Sequence, residues 1–228
     1  MKSNCPLIEK ITEASSKVHE KSVQQYAKLL DAYESICSII SKLVVQGGIE
    51  PIHSSTENTS KRLSLTAGLI QSSTIVWDLI LSGYYIVSIS AMRHYMKVLA
   101  RIIELRKGSN VSSKKTPNVS VLPFKLSNNY GRLSEIYHTA NNEYFARFVE
   151  SSEDNEVASI LPAFSSEWPF SFLSLHIAHV ITLAIEIHAL QSELYPDMIL
   201  ENITPSLLDV GQKLVEVGFW ETINENPV

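Results

Sequence analysis

Cysteine is scarce in this 228-residue chain: Cys5 and Cys37 stand 32 positions apart, outside any CxxC pair and without a histidine at metal-ligand spacing. That excludes a disulfide scaffold or a zinc module and fits free thiols in a reducing cytosol. Positive charge is not in excess either. With 19 Lys and Arg against 24 Asp and Glu, the net charge is −5, so nucleic-acid binding would need a local basic patch. Clean apolar runs are also missing. Segment 69–92 is interrupted by Gln71, Asp78 and Gly83, and segment 170–190 by His176, His179, Glu186 and His188. A membrane span needs about 20 predominantly apolar residues, so both segments read as buried helices and no membrane partner is expected. The opening "MKSNCPLIEKITEASSK" lacks a signal-peptide core, because Glu9, Lys10 and Glu13 break it up, and a cytoplasmic location is the expectation. There is no internal repeat, no low-complexity tract and no glycine loop to cradle phosphate. Strand-like alternation is confined to "NVSVLPF", which Pro123 breaks.

What is present is helical. At 45% hydrophobic and 19% charged residues, the chain can bury a sizeable core, and 1–228 reads as one all-α domain. A long first helix is expected over about 7–45. Its apolar positions Tyr26, Leu29, Leu30, Tyr33, Ile36, Cys37, Ile40, Leu43 and Val44 step by threes and fours into one seam. Such a helix would be about 60 Å long, against a radius of gyration of about 17 Å for a compact domain of this size. It must therefore break, with Ser15–Ser16 the nearest weak point, or project towards a partner. The bundle proper spans about 60–224. It has helices over 61–81 and 84–107 joined at Gly83, a fourth starting near Ser127–Asn129, an almost wholly apolar and hence central one over 168–194, and a last one opened by Thr204–Pro205. The expectation is a five- to six-helix, mostly antiparallel bundle. A homodimer would cover the seam of a projecting first helix.

Three groups of residues carry candidate chemistry. On the fourth helix, "GRLSEIYHTANNEYF", a helical wheel puts Tyr130, Leu133, Tyr137, Ala140, Tyr144 and Phe148 on one side. Arg132, Glu135 and His138 fall on the other, within an arc of about 120°. Neighbours of this kind form a solvated ion-pair face or a small reaction centre. Glu135 to His138 is also the Glu-x-x-His unit of di-iron bundles, but the other copy, Glu50 to His53, contains Pro51 and lies in a loop. In the fifth helix, His176, His179 and Glu186 are the alternative set, as ligands of a metal-binding helical bundle. Lys107, Lys114, Lys115 and Lys125 form the one local positive cluster, a solvated loop or an RNA-backbone contact.

The hairpin "WDLILSGYYIVSISAMRHYMKVLARIIEL" followed by "YGRLSEIYH" resembles a group of prokaryotic helical proteins with a Gly-Tyr hairpin and a Leu-Ser-Glu segment ending in histidine. "RLSEIYH" is similar to the Arg-x4-6-His signature of the HEPN superfamily, helical bundles that often act as metal-independent ribonucleases in toxin, defence and RNA-processing systems. The likeness covers about 65–148, and Leu133 stands where those nucleases usually carry a polar residue. The resemblance implies RNA cleavage or RNA binding without a cofactor. His138 would be the proton-transfer group, Arg132 the phosphate stabiliser and Glu135 the group that orients the histidine. It also implies a homodimer with the Arg/His helices near the interface. Arg93 corresponds to the hairpin-helix arginine of the look-alike group, either lining the same cleft or, the preferred reading, buried in a structural role. The other class of function is a non-enzymatic helical interaction protein of a toxin–antitoxin or defence assembly.

Overall fold

The computed structural model describes residues 5–47, 52, 55–108, 115–137 and 160–220. Seven α-helices and one short 3-10 turn make up the regular structure there, with no strand among the described residues. The expected 7–45 helix is two helices, α1 (Pro6–Gln25) and α2 (Ala27–Gly47). They part at Tyr26, whose backbone (φ −108°, ψ 28°) leaves the helical region. No glycine or proline causes the break. The Tyr26 ring is buried, stacks on Phe164 at 6.5 Å and points its hydroxyl at the Ser166 carbonyl, so tertiary packing holds the kink.

The kink decides what happens to the apolar seam. Leu29, Ala32, Tyr33, Ile36, Ile39, Ile40 and Leu43 are all buried within the chain, against the central helix α6 (Trp168–Leu194) and the last helix α7 (Thr204–Glu216). The seam therefore needs no partner. Exposed apolar residues remain at both ends of this pair of helices: Val44, the last of the seam, and Val45 in α2, and Leu7 and Ile8 in α1, where residues 5–17 include none that is buried.

α3 (Glu57–Leu81) starts at a capping box in which Thr56 and Thr59 satisfy each other's backbone amides. It turns into α4 (Tyr85–Arg106) through Gly83 at φ +83°. A Cβ on Gly83 would lie 3.1 Å from both the Ala163 carbonyl oxygen and a Val18 methyl, so the hairpin turn also seats α1. A 3-10 turn, Val119–Val121, leads to α5 (Ser127–Tyr137), which packs on α4. Every residue from 172 to 184 in α6 is buried, as expected of the central helix. The contact pairs Arg62–Glu193 and Ser73–His176 run α3 antiparallel to α6. Leu43–Gln191 and Tyr33–His176 run α6 parallel to α2, and Tyr85–Phe172 with Arg106–Glu186 run it parallel to α4, so the bundle is less uniformly antiparallel than the sequence suggests.

By length and composition, α3 and α6 are both apolar enough to cross a membrane. The apolar stretch of α6 is 83% buried against other helices and that of α3 33%. The outward face of α3 carries Ser64, Gln71, Thr74 and Asp78.

Candidate functional site

Arg93, Lys97 and Arg101 recur every fourth residue along α4, which stacks them on one face at about 6 Å intervals. They meet two neighbouring structures, α5 and the segment 115–118. At the N-terminal end, Arg93 is buried under α5: its Nε donates to Ser134 Oγ at 3.1 Å, and its guanidinium lies 4.2 Å from the Tyr137 ring centre and 5.4 Å from that of Tyr130. Lys97 Nζ lies 5.9 Å from the same Tyr130 ring. Burial pushes the Tyr130 phenol up, but the Lys97 and Arg93 cations outweigh it and hold its pKa below the usual value. At the other end, Arg101 donates to the Lys115 carbonyl and pairs with Glu104 at 3.2 Å, while Glu104 accepts from the Asn118 amide at 2.8 Å. Residues 115–118 are thereby tied to α4. Between them and the helix opens a cleft of about 400 Å³ lined by His94, Lys97, Arg101, Lys115, Thr116 and Leu65.

The cleft is a cationic trough, and Lys97 at its edge also reaches the Tyr130 ring outside it. Its free charge comes from Lys97 and Lys115, with Arg101 half neutralised by Glu104 and His94 exposed at the rim. That combination suits a polyanion whose repeating phosphates meet cations while a flat base rests on a ring.

The residues singled out on α5 sit differently. Leu133 and Ile136 face the core, so the buried arc is centred on 133–136 and Tyr137 is exposed, not inward as its wheel position suggests. Arg132 is exposed, its guanidinium 5.3 Å from the Trp168 ring centre, at the mouth of a small cavity of about 120 Å³ shared with Asn129, Ser171 and Phe219. Glu135 is exposed on the same outer side, and no ion pair joins it to Arg132 among the described residues. Arg93 meets α5 on the side of Tyr130, Ser134 and Tyr137, away from Arg132, and among the described residues no cleft is lined by both. His138 and Lys114 lie outside the described residues, as do Glu50 and His53.

The metal alternative does not assemble. His176 and His179 are fully buried in the core, where His176 Nε2 bonds the Ser73 carbonyl at 2.9 Å. Glu186 is held in a two-bond pair by Arg106, with both contacts at 2.9 Å. No group of three His, Cys, Asp or Glu that could hold a metal occurs among the described residues. Burial is the main cause of the histidines' low basicity: it lowers the pKa of His176 to about 4 and, with the neighbouring His176 adding to it, that of His179 to about 3. They are neutral members of an aromatic box. Tyr33 stacks on Trp77 at 4.0 Å, Tyr95 meets His176 edge-on at 5.5 Å, and Tyr95 lies over His179 at 5.9 Å.

Sequence reasoning overlooked Lys97, His94 and Arg101. The signal was there, since a basic residue every fourth position on an otherwise apolar helix gathers cations on one face of it. Comparisons of the chain with protein-family models, with curated proteins and with solved structures found no match.

Proposed function

We propose that the protein binds single-stranded RNA along the α4–α5 face. The observation that supports this most is the row of Lys97, Arg101 and Lys115 in one open cleft, ending against Tyr130, in a chain whose net charge is −5. A chain with a negative overall charge that gathers its cations in one trough has a local field for phosphate which its net charge would hide. The bases rest on Tyr130 and the exposed ring of Tyr137, and base-on-ring stacking is worth about 1–3 kcal/mol per base.

Cleavage is the continuation of this proposal that rests on the HEPN resemblance. A strand leaving the trough over α5 passes Arg132. Its guanidinium would stabilise charge on the phosphate while His138 takes the proton of the ribose 2′-hydroxyl, which attacks phosphorus. The 5′-oxygen then leaves as His138 returns the proton to it, and a 2′,3′-cyclic phosphate remains. Glu135 would orient the histidine. No metal ion enters this scheme.

Fluorescence anisotropy with a labelled single-stranded RNA of about 20 nucleotides tests the binding. Lys97→Glu is expected to weaken it at least tenfold, about 1.4 kcal/mol, and equal binding by wild type and Lys97→Glu refutes the proposal. Degradation of the same RNA by wild type but not by His138→Ala would support the chemistry. Equal degradation, or none from either, leaves binding without catalysis, which is the non-enzymatic interaction protein. A homodimer is proposed with it, but its support has moved to the exposed start of α1. Light scattering giving a mass near 25.5 kDa would remove it.

A further inference from the structure

On the side of α3 away from the basic trough, the C-terminal end of α2 and the facing stretches of α3 and α6 line a further, partly open cavity of about 260 Å³. Its walls are hydrocarbon: Val44 from α2, Leu63, Ala67 and Ile70 from α3, and Ile187 and Leu190 from α6. Three polar side chains interrupt them, all more than nine-tenths buried: Thr66, Gln191 and Tyr195, whose hydroxyl donates to the Gly47 carbonyl. The Thr66 hydroxyl has no hydrogen-bond partner, and neither has the Gln191 amide oxygen. The orientation of Gln191 is set by its other end, where Nε2 donates to the Leu43 carbonyl. Gly47 permits that reach, since a Cβ there would lie 2.7 Å from the same nitrogen. The amide oxygen is therefore left as an acceptor in want of a donor. Burying two such groups unpaired is unfavourable, so their pairing is the property a ligand would supply.

We propose that this cavity binds a small neutral amphiphile, an aliphatic chain of about eight carbons ending in an amide-type head. The size follows from the observation that a cavity of about 150 Å³ holds benzene, which scales to roughly ten non-hydrogen atoms here. The head follows from the two orphaned groups: an N–H donates to Gln191 Oε1 and a carbonyl accepts from the Thr66 hydroxyl. A carboxylate head is disfavoured because its charge would face the Gln191 oxygen and no cation lines the cavity; Arg62, one turn before Thr66, is not among the lining residues and pairs with Glu193 through Nη1, although its Nε and Nη2 have no partner.

Octanamide is the probe, titrated into the full chain by calorimetry and by the shift of the thermal midpoint. Saturable binding is expected, at least fivefold weaker in Thr66→Val and lost in Ala67→Trp, a substitution at an exposed lining position that fills the cavity. Thr66→Val without ligand is expected to melt at the same temperature or higher, because a methyl replaces a hydroxyl that has no partner. Octanoate is expected to bind at least tenfold more weakly than octanamide. No saturable octanamide binding, binding undiminished in Ala67→Trp or equal in Thr66→Val, or octanoate as tight as octanamide overturns the proposal.

Discussion

Acid should destabilise this fold well before its carboxylates titrate, and the two core histidines set the size of the effect. In the unfolded chain a histidine takes a proton near pH 6.5, whereas burial holds His176 to about 4 and His179 to about 3. The folded state binds fewer protons than the unfolded one, so stability is full above about pH 6.5 and is lost as the pH falls towards the folded values. Each group costs about 1.4 kcal/mol per pH unit once below pH 6. At pH 5 the pair lowers the unfolding free energy by about 4 kcal/mol relative to pH 7, a large part of the roughly 5–15 kcal/mol typical of a folded domain. The Ser73 carbonyl bonded to His176 opposes this in part but burial outweighs it, and both His179 nitrogens are unpartnered among the rings of Tyr95 and its neighbours. The perturbation is His179→Phe, a ring of similar width that keeps the stack on Tyr95 and cannot be protonated. Urea denaturation at pH 7, 6 and 5 should show the loss between pH 7 and 5 cut to about half, with the His179→Phe variant as stable as wild type or more so at pH 7. Parallel pH dependence in the two proteins would refute the reasoning.

Arg106→Ala strands the buried carboxylate of Glu186 and should cost about 2–3 kcal/mol in urea denaturation, below the usual figure for a broken buried pair because Arg106 is 37% exposed. Replacing both partners, Arg106→Met with Glu186→Leu, should recover most of it, and a double variant no more stable than the single would contradict the pairing. Gly83→Ala forces a side chain into a left-handed turn and against the Ala163 carbonyl, with an expected loss of about 2 kcal/mol. A thermal midpoint unchanged from wild type would refute the stated role of that turn. If phosphate contacts dominate RNA binding, log affinity should fall with log salt at a slope of about −2 for three cations on a single strand. A slope near zero would mean that the trough is not where RNA binds.

Much of the architecture was legible because local rules and packing agree. The Gly83 hairpin, the Thr204–Pro205 helix start and the apolar character of 168–194 each rest on residues close together in the chain. The break at Tyr26 was not legible. Its cause is Phe164, about 140 positions away, which no local propensity reveals, whereas the weaker helix formers Ser15 and Ser16 lie inside an unbroken α1. His176 and His179 looked like ligands because their spacing is visible, while the aromatic rings and the Ser73 carbonyl around them come from three other helices. The same holds for Thr66 and Gln191, 125 positions apart, whose shared cavity exists only once α3 and α6 are antiparallel. The Lys97 and Arg101 stripe is the reverse case: its spacing was readable, but its meaning depended on residues 115–118 folding back to make a trough.

Photochemical crosslinking of a 4-thiouridine-labelled RNA to the full chain, followed by mass spectrometry of the peptides, tests the central claim most directly. RNA binding along the α4–α5 face predicts adducts on peptides carrying Tyr130 or Tyr137 and on those carrying Lys97 or Lys115, all suppressed by Lys97→Glu. Adducts confined to peptides from α1 or α7, unaffected by Lys97→Glu, would contradict it.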